Sequence, residues 1–150
     1  MAISYDLATD NYIGSYNFQI AIDGITDINS EFVTVSGVVS TTEELEFMHG
    51  NDPYVRKSAG RLSYEPVVME RVYKGVDDFY RWRLEVEAGN IDRKDVTIRM
   101  MNAGFQVIRQ MTLGGAWPIK WEMPDMDATS SRPAMERITL SVDRVRESAP

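Results

Sequence analysis

Gly114-Gly115-Ala116-Trp117-Pro118-Ile119-Lys120-Trp121, followed by Pro124-Asp125-Met126-Asp127-Ala128 and the alternating run from Met135 to Val145, is the stretch on which the fold turns. Two of the three tryptophans lie four positions apart around a proline. Proline donates no backbone hydrogen bond, so it belongs at a strand start, a bulge or an unpaired edge. Large aromatic side chains beside an irregular edge mark a surface that another copy of the chain can cover. Trp117 and Trp121 stay open between core and interface, whereas Trp82 reads as core. Gly114-Gly115 reads as a turn or bulge between strands, since no helix start follows that would make it a phosphate cradle.

Outward from this stretch, period-two alternation recurs. Ile138, Leu140 and Val142 face one way, and Arg137, Thr139, Ser141 and Asp143 the other. Val96, Ile98 and Met100 alternate with Thr97, Arg99 and Met101, and Asn102-Ala103-Gly104 leads as a short hairpin connection into Phe105 to Leu113. Tyr16, Phe18, Ile20 and Ile22 alternate with Asn17, Gln19, Ala21 and Asp23, and Asp23-Gly24 suits a tight turn. Phe32 to Val39 is a second strand, with Gly37 at a bulge or close approach. Leu62 to Tyr73 reads as one long strand, part of which Pro66 places at an edge or bulge.

One segment changes period. Asp77 or Asp78 can cap a helix, and Phe79, Trp82, Arg83 and Val86 then fall at i, i+3, i+4 and i+7 on one stripe. Gly89-Asn90 is the stop. Residues 41–60 differ again. Glu43, Glu44 and Glu46 precede the turn formers His49-Gly50-Asn51-Asp52-Pro53, and Arg56, Lys57 and Arg61 follow. This reads as a long projecting loop or hairpin, and the first dozen residues read as a loose arm. The whole is a single domain, mostly β, with one short α-helix. A lone β domain without a second helical layer must close into a barrel, form a sandwich, or pair its edges with neighbours.

Composition narrows the function classes. The 150 residues suffice to bury about 68–70% of the unfolded surface, and the 43% hydrophobic content argues against disorder. No apolar run approaches the ~18–20 residues of a membrane span, and the N-terminus lacks a signal-peptide pattern. The expectation is therefore no stable membrane insertion. The absence of cysteine fits folding in a reducing cytoplasm. Sixteen basic against 23 acidic residues, a formal charge of −7, disfavour a general nucleic-acid binder and suit a surface that repels an anionic cargo.

His49 is the only histidine, and it sits among turn formers, so nucleophile–histidine catalysis has no good candidate. Zinc sites built from histidine and cysteine lack ligands. Glu122, Asp125 and Asp127 form a conceivable hard-cation cluster without the EF-hand layout, and read as turn-stabilising acceptors. No P-loop or dinucleotide fingerprint occurs. The expectation is no enzyme, no metal and no cofactor.

The order of blocks along the chain resembles the tail-tube protein family, which builds the inner tube of contractile phage tails and of extracellular phage-tail-like contractile injection systems. The blocks are Phe18 to Gly24, Phe32 to Gly37, Ala59 to Val67, Asp77 to Trp82, Arg93 to Ile98, Ala116 to Trp121, Pro124 to Ala128 and Met135 to Val145. They span roughly residues 16 to 146. Lys57-Ser58-Ala59-Gly60 stands where members often have Leu-Pro-Gly, and Val72-Tyr73-Lys74-Gly75 replaces a tighter turn.

The resemblance implies a β-sandwich or barrel whose strands join a continuous inner β-barrel in a hexameric ring. Rings stack into a hollow conduit within a contractile sheath, with baseplate or spike and tube-terminating proteins at its ends and a protein effector or DNA as cargo. The particle assembles in the bacterial cytoplasm and is released outside the cell. His49, Asp52, Arg56 and Lys57 are expected at the inter-ring contact. Trp117, Pro118 and Trp121 are expected at a subunit boundary, and Asn17, Gln19 and Thr97 facing the lumen. The injection-system role is the first reading, and a DNA-carrying phage tail tube is the alternative. A small carbohydrate-binding β-sandwich with exposed tryptophans is the reading from a different class.

Overall fold

The computed structural model describes residues 17–25 and 32–149; the arm expected over residues 1–12, and Tyr16, lie outside them. In chain order the described residues form β1 (Phe18–Ile22), β2 (Phe32–Ser36), β3 (Ser40–Phe47), β4 (Arg56–Tyr64), β5 (Val67–Val72), α1 (Asp78–Glu87), β6 (Lys94–Met101), β7 (Val107–Glu122), β8 (Met135–Ser141) and β9 (Arg144–Ser148). All the strand pairs are antiparallel.

The 16-residue strand β7 organises the rest. Its first part pairs with β6 on one edge and β9 on the other. Beyond Gly115 its partner is β8, from Trp117 opposite Ser141 to Glu122 opposite Arg137. One layer is therefore β1-β6-β7-β9 and the second is β7-β8-β5-β2. β8 and β9 follow the same edge of β7, interrupted at Val142-Asp143, where the expected single strand from Met135 to Val145 breaks.

Gly114 and Gly115 lie opposite that break, inside β7, where the register with β6 shifts between Lys94 and Val96; of the turn or bulge expected there, the bulge is what forms. Gly115 has φ 68°, a left-handed conformation that other residues adopt only with strain. The Asp143 N–H donates to the Gly114 carbonyl at 3.0 Å and ties the two irregularities together. Local kinks of this kind let a strand leave one sheet and enter another.

Alternation then builds the core. Ile20, Ile22, Val96, Ile98 and Leu113 come from the first layer and Val67, Met69, Ile138 and Leu140 from the second, all in one buried cluster with Phe79 and Trp82 of α1. Trp82 donates its indole N–H to the Asp92 carbonyl at 2.7 Å, pinning the helix to the loop that follows it. Asp77 occupies the N-cap position without a side-chain capping bond and instead pairs with Arg81. Of the two acids expected to cap the helix, it is Asp78 whose carboxylate accepts a first-turn amide, the Phe79 N–H at 2.8 Å. Gly89, with φ 90°, donates its N–H to the Val86 carbonyl at 3.0 Å and ends the helix.

Residues 41–60 fall within a separate two-stranded hairpin, β3 with β4, and every residue of β3 is exposed. The single strand expected from Leu62 to Tyr73 is two strands. β4 ends at Tyr64, Pro66 intervenes, and β5 begins at Val67 in the main body. Gly37 (φ 89°) allows the return, since a Cβ there would lie 2.6 Å from the Pro66 carbonyl oxygen.

Candidate assembly surfaces

The hairpin holds its own charges. Asp52 Oδ2 accepts from Arg56 Nε at 2.7 Å, and Lys57 Nζ lies 3.3 Å from Glu44 Oε1 across the two strands. The Asp52 N–H donates to the His49 carbonyl at 2.8 Å, and Asp52 Oδ1 accepts the Tyr54 N–H at 3.1 Å. His49, Asp52, Arg56 and Lys57 thus lie at or beside one tip, where Asp52 ties the turn together through His49, Tyr54 and Arg56 and Lys57 bridges the two strands just behind it. Sequence reasoning missed the apolar part of this tip: Met48 is 80% exposed and Tyr54 71% exposed, beside exposed Phe47 and Val55. Exposed apolar groups gathered at one tip mark a candidate contact surface.

The Trp117–Trp121 segment separates into unlike positions. Pro118 is fully buried at a register shift between β7 and β8, and its carbonyl accepts from Arg83 Nη1 at 3.1 Å. Pro118, expected near a subunit boundary, is thus covered within its own subunit on the side of α1. Trp121 is half-buried against the core, its ring 4.9 Å from that of Tyr80 on the helix. Trp117 is half-buried at the start of the β8 pairing. None of the three tryptophans is exposed, which removes the feature that favoured a glycan-binding module.

Behind this segment lies a charged group that sequence reasoning did not find. Arg71, 6% exposed, donates from Nε to Glu136 Oε1 at 2.8 Å. It also meets both oxygens of Asp78 at the start of α1, and its guanidinium stacks 3.7 Å from the centre of the Phe79 ring. Burial lifts the Glu136 carboxyl above the ordinary glutamate range, and Arg71 offsets this only in part. Burial also opposes the Arg71 charge, but Asp78 and Glu136 outweigh it and raise the guanidinium pKa. Glu136 Oε2 and the Trp121 indole N–H both lack a hydrogen-bond partner. The indole nonetheless lies near enough to favour the carboxylate. The signal available in sequence was positional: Glu136 falls on the same face as Ile138 and Leu140, where an acid must find a partner.

On the first layer, strand pairing aligns Gln19, Arg99, Gln110 and Ser148 in one row and Ala21, Thr97, Thr112 and Arg146 in the next. These residues form the face away from the core. Arg99 Nε donates to Gln110 Oε1 at 3.2 Å, and Gln110 Nε2 to Ser148 Oγ at 3.0 Å. Gln19 is exposed and Thr97 half-buried on this face. Asn17 does not join them. It is 8% exposed, and its side-chain amide donates to the Asn102 carbonyl at 2.5 Å, locking the chain before β1 onto the β6–β7 connection. Asn17, expected with Gln19 and Thr97 on the lumen side, is therefore buried within the subunit apart from them.

The outer face of the second layer carries a ladder in which Arg137 bridges Glu70 and Glu122. The 123–134 loop arches over it and encloses a groove of about 850 Å³ also lined by Asp125, Asp127 and Arg132. Asp127 accepts from the Thr129 hydroxyl at 2.7 Å and the Thr129 N–H at 3.0 Å, which hold its carboxyl below the usual range. Its carboxylate stabilises a turn. Among the described residues, no helix is long and apolar enough to cross a membrane, and no three potential ligands gather around a metal position.

The family model described as T4-like virus tail tube protein gp19 matches residues 14–146. Among solved structures, a chain of the PVC sheath–tube complex, an extracellular contractile injection system in the extended state, is similar with a TM-score of 0.83. It has 23% identity and complete coverage of both chains. A chain of the anti-feeding prophage tube-terminating cap is similar at TM-score 0.82 and 25% identity, again over 100% of both chains. The PVC sheath/tube terminator matches at TM-score 0.81 and 26% identity, over 95% of this chain and 100% of that one. No curated protein matches the sequence. The family model covers the blocks on which the resemblance rested, and the chain belongs to the T4-like virus tail tube protein family.

Proposed function

We propose that the protein is a structural inner-tube subunit of a phage-tail-like contractile injection system, and that hexameric rings of it stack into a hollow conduit. The observation that carries this reading is the four-stranded layer β1-β6-β7-β9. Among the described residues its outer strands β1 and β9 each have one edge without a strand partner, and its face away from the core is polar. Unpaired edges invite pairing with another copy, and closing the sheet on itself removes them. A six-membered ring of such layers makes a continuous barrel with amide and hydroxyl groups inside. Stacking then falls to the hairpin, whose tip places His49, Asp52, Arg56 and Lys57 beside exposed Met48 and Tyr54.

The chain works by burying interface and by shape, without a reaction of its own. Its partners are further copies of itself, a contractile sheath, a baseplate and a tube terminator, and its cargo is a protein effector. The particle is built inside the bacterial cell and acts outside it. The match to a phage tail tube family model supports a second reading, a conduit for DNA in a contractile phage tail. Electron microscopy of the purified protein at high concentration, alone and with a baseplate template, tests both. Six-fold rings or tubes are expected, and monomers under both conditions would contradict the conduit.

A further inference from the structure

The polar face of the first layer has a charge opposite to that of the chain. The protein as a whole carries −7, which on sequence alone suits a surface that repels anions. Yet Arg99 and Arg146 stand in the two central rows of this face. Arg144 extends it by one position opposite Gly114, where a Cβ would lie 2.8 Å from the Arg144 Cγ. The glycine therefore lets the arginine lie across the strand.

Cations elsewhere are largely neutralised: Arg56, Lys57, Arg71, Arg81, Arg109 and Arg137 all have carboxylate partners. Arg99, Arg144 and Arg146 have none among the described residues. Arg99 donates to the neutral Gln110 amide oxygen at 3.2 Å, and Arg146 reaches only the Tyr64 hydroxyl at 3.5 Å and the Val145 carbonyl at 3.4 Å. The acids nearest in register, Asp23 and Asp95, sit at one end of the sheet, where the Asp23 N–H donates to the Asp95 carbonyl at 3.1 Å.

We infer that this face is a docking surface for the acidic exterior of a protein, and that Arg99, Arg144 and Arg146 hold that protein loosely against a neutral bed of amides and hydroxyls. Resting on the conduit reading, the inference assigns the lumen an acidic protein cargo. The pattern favours protein over duplex DNA. A polyphosphate is gripped by many cations at once, each adding affinity through counterion release, and here the cations are few and Asp23 and Asp95 face one end of the path. Unpaired arginines act over about 8–10 Å at ordinary salt, enough to concentrate an acidic surface without locking it in place.

The test uses assembled tubes and one small globular protein made in an acidic and a surface-neutral version, with a short DNA duplex as the third probe. At low salt the acidic version is retained roughly tenfold more than the neutral one. The Arg99→Gln/Arg146→Gln variant forms tubes and loses that preference, while Arg99→Lys keeps it. Equal retention of the two versions, an unchanged preference in the double Gln variant, or stronger retention of the duplex would each overturn the inference. Should tubes never form, the conduit reading falls separately. The same acidic protein is then titrated into the isolated subunit by NMR: amide shifts at Arg99, Gln110 and Ser148 sustain the docking surface, and their absence overturns it.

Discussion

Arg71 and Glu136 face each other across β5 and β8, Nε to Oε1 at 2.8 Å, with Glu136 wholly buried. The pair joins the second layer to α1, because Arg71 also holds Asp78 and lies over Phe79. Arg71→Met leaves the buried Glu136 carboxyl without its partner. Removing one member of a buried ion pair costs about 3–5 kcal/mol, and denaturant unfolding at neutral pH should read a loss of that order. A loss within experimental error would show that the pair does not fasten helix to sheet.

The same carboxyl sets a pH dependence. The folded-state pKa of Glu136 is raised, chiefly by burial, so the folded protein holds this proton more tightly than the unfolded chain does. The contribution of Glu136 to stability is therefore fully present below the ordinary glutamate pKa and is lost as pH rises through the raised value. Relative to Glu136→Gln, the unmodified protein should lose stability as pH climbs through this interval. Unfolding curves of the two proteins, measured in parallel from acid to neutral pH, check the sign; a gap that is constant with pH contradicts it.

Gly115→Ala tests the passage of β7 between the layers. A side chain at φ 68° costs about 1–2 kcal/mol in backbone strain, and the new Cβ would strike the Asp143 carboxylate. Asp143 pairs with Arg93 at 2.8 Å, so truncating Asp143 should relieve the collision but not the strain. Thermal melts of the single and double variants separate the two parts.

Trp82 offers a graded test of the helix contact. Trp82→Phe keeps most of the buried ring and loses the 2.7 Å bond to the Asp92 carbonyl, a cost of about 1 kcal/mol. Trp82→Ala should cost about 3–5 kcal/mol. Similar values for both would mean that the hydrogen bond, and not the buried ring, holds the helix.

The Asp52, Arg56 and Lys57 side chains pair at the surface, so replacing all three with alanine should change subunit stability by no more than about 1 kcal/mol per ion pair. On the proposed stacking the same triple variant fails to lengthen into tubes, as does Met48→Ser/Tyr54→Ser. Intact tubes in both cases would remove the hairpin from the inter-ring contact.

Alternation made much of this legible in advance. Ile20, Ile22, Val96, Ile98, Ile138 and Leu140 were readable as core because period-two patterning is a local property, and Phe79 and Trp82 because their spacing is helical. Where sequence misled, the deciding partner was distant. Leu62 to Tyr73 is continuous in propensity, but Pro66 and the close approach of Gly37 send its halves to different sheets. Asn17 alternates as an outward residue, yet it is drawn inward by the carbonyl of Asn102, 85 positions away. Pro118 was legible as an irregular strand residue but not as a covered one, because the cover is α1. Of the surfaces, the hairpin was visible from its turn formers, while the arginine face required the register of four strands.

A cryo-electron microscopy reconstruction of the assembled protein shows which sheet face lies innermost. A six-fold ring is expected, in which β1 and β9 pair with neighbouring copies and Gln19, Thr97 and Gln110 line the lumen. A ring with the Glu70–Arg137–Glu122 face innermost, or an assembly without a closed barrel, would contradict it.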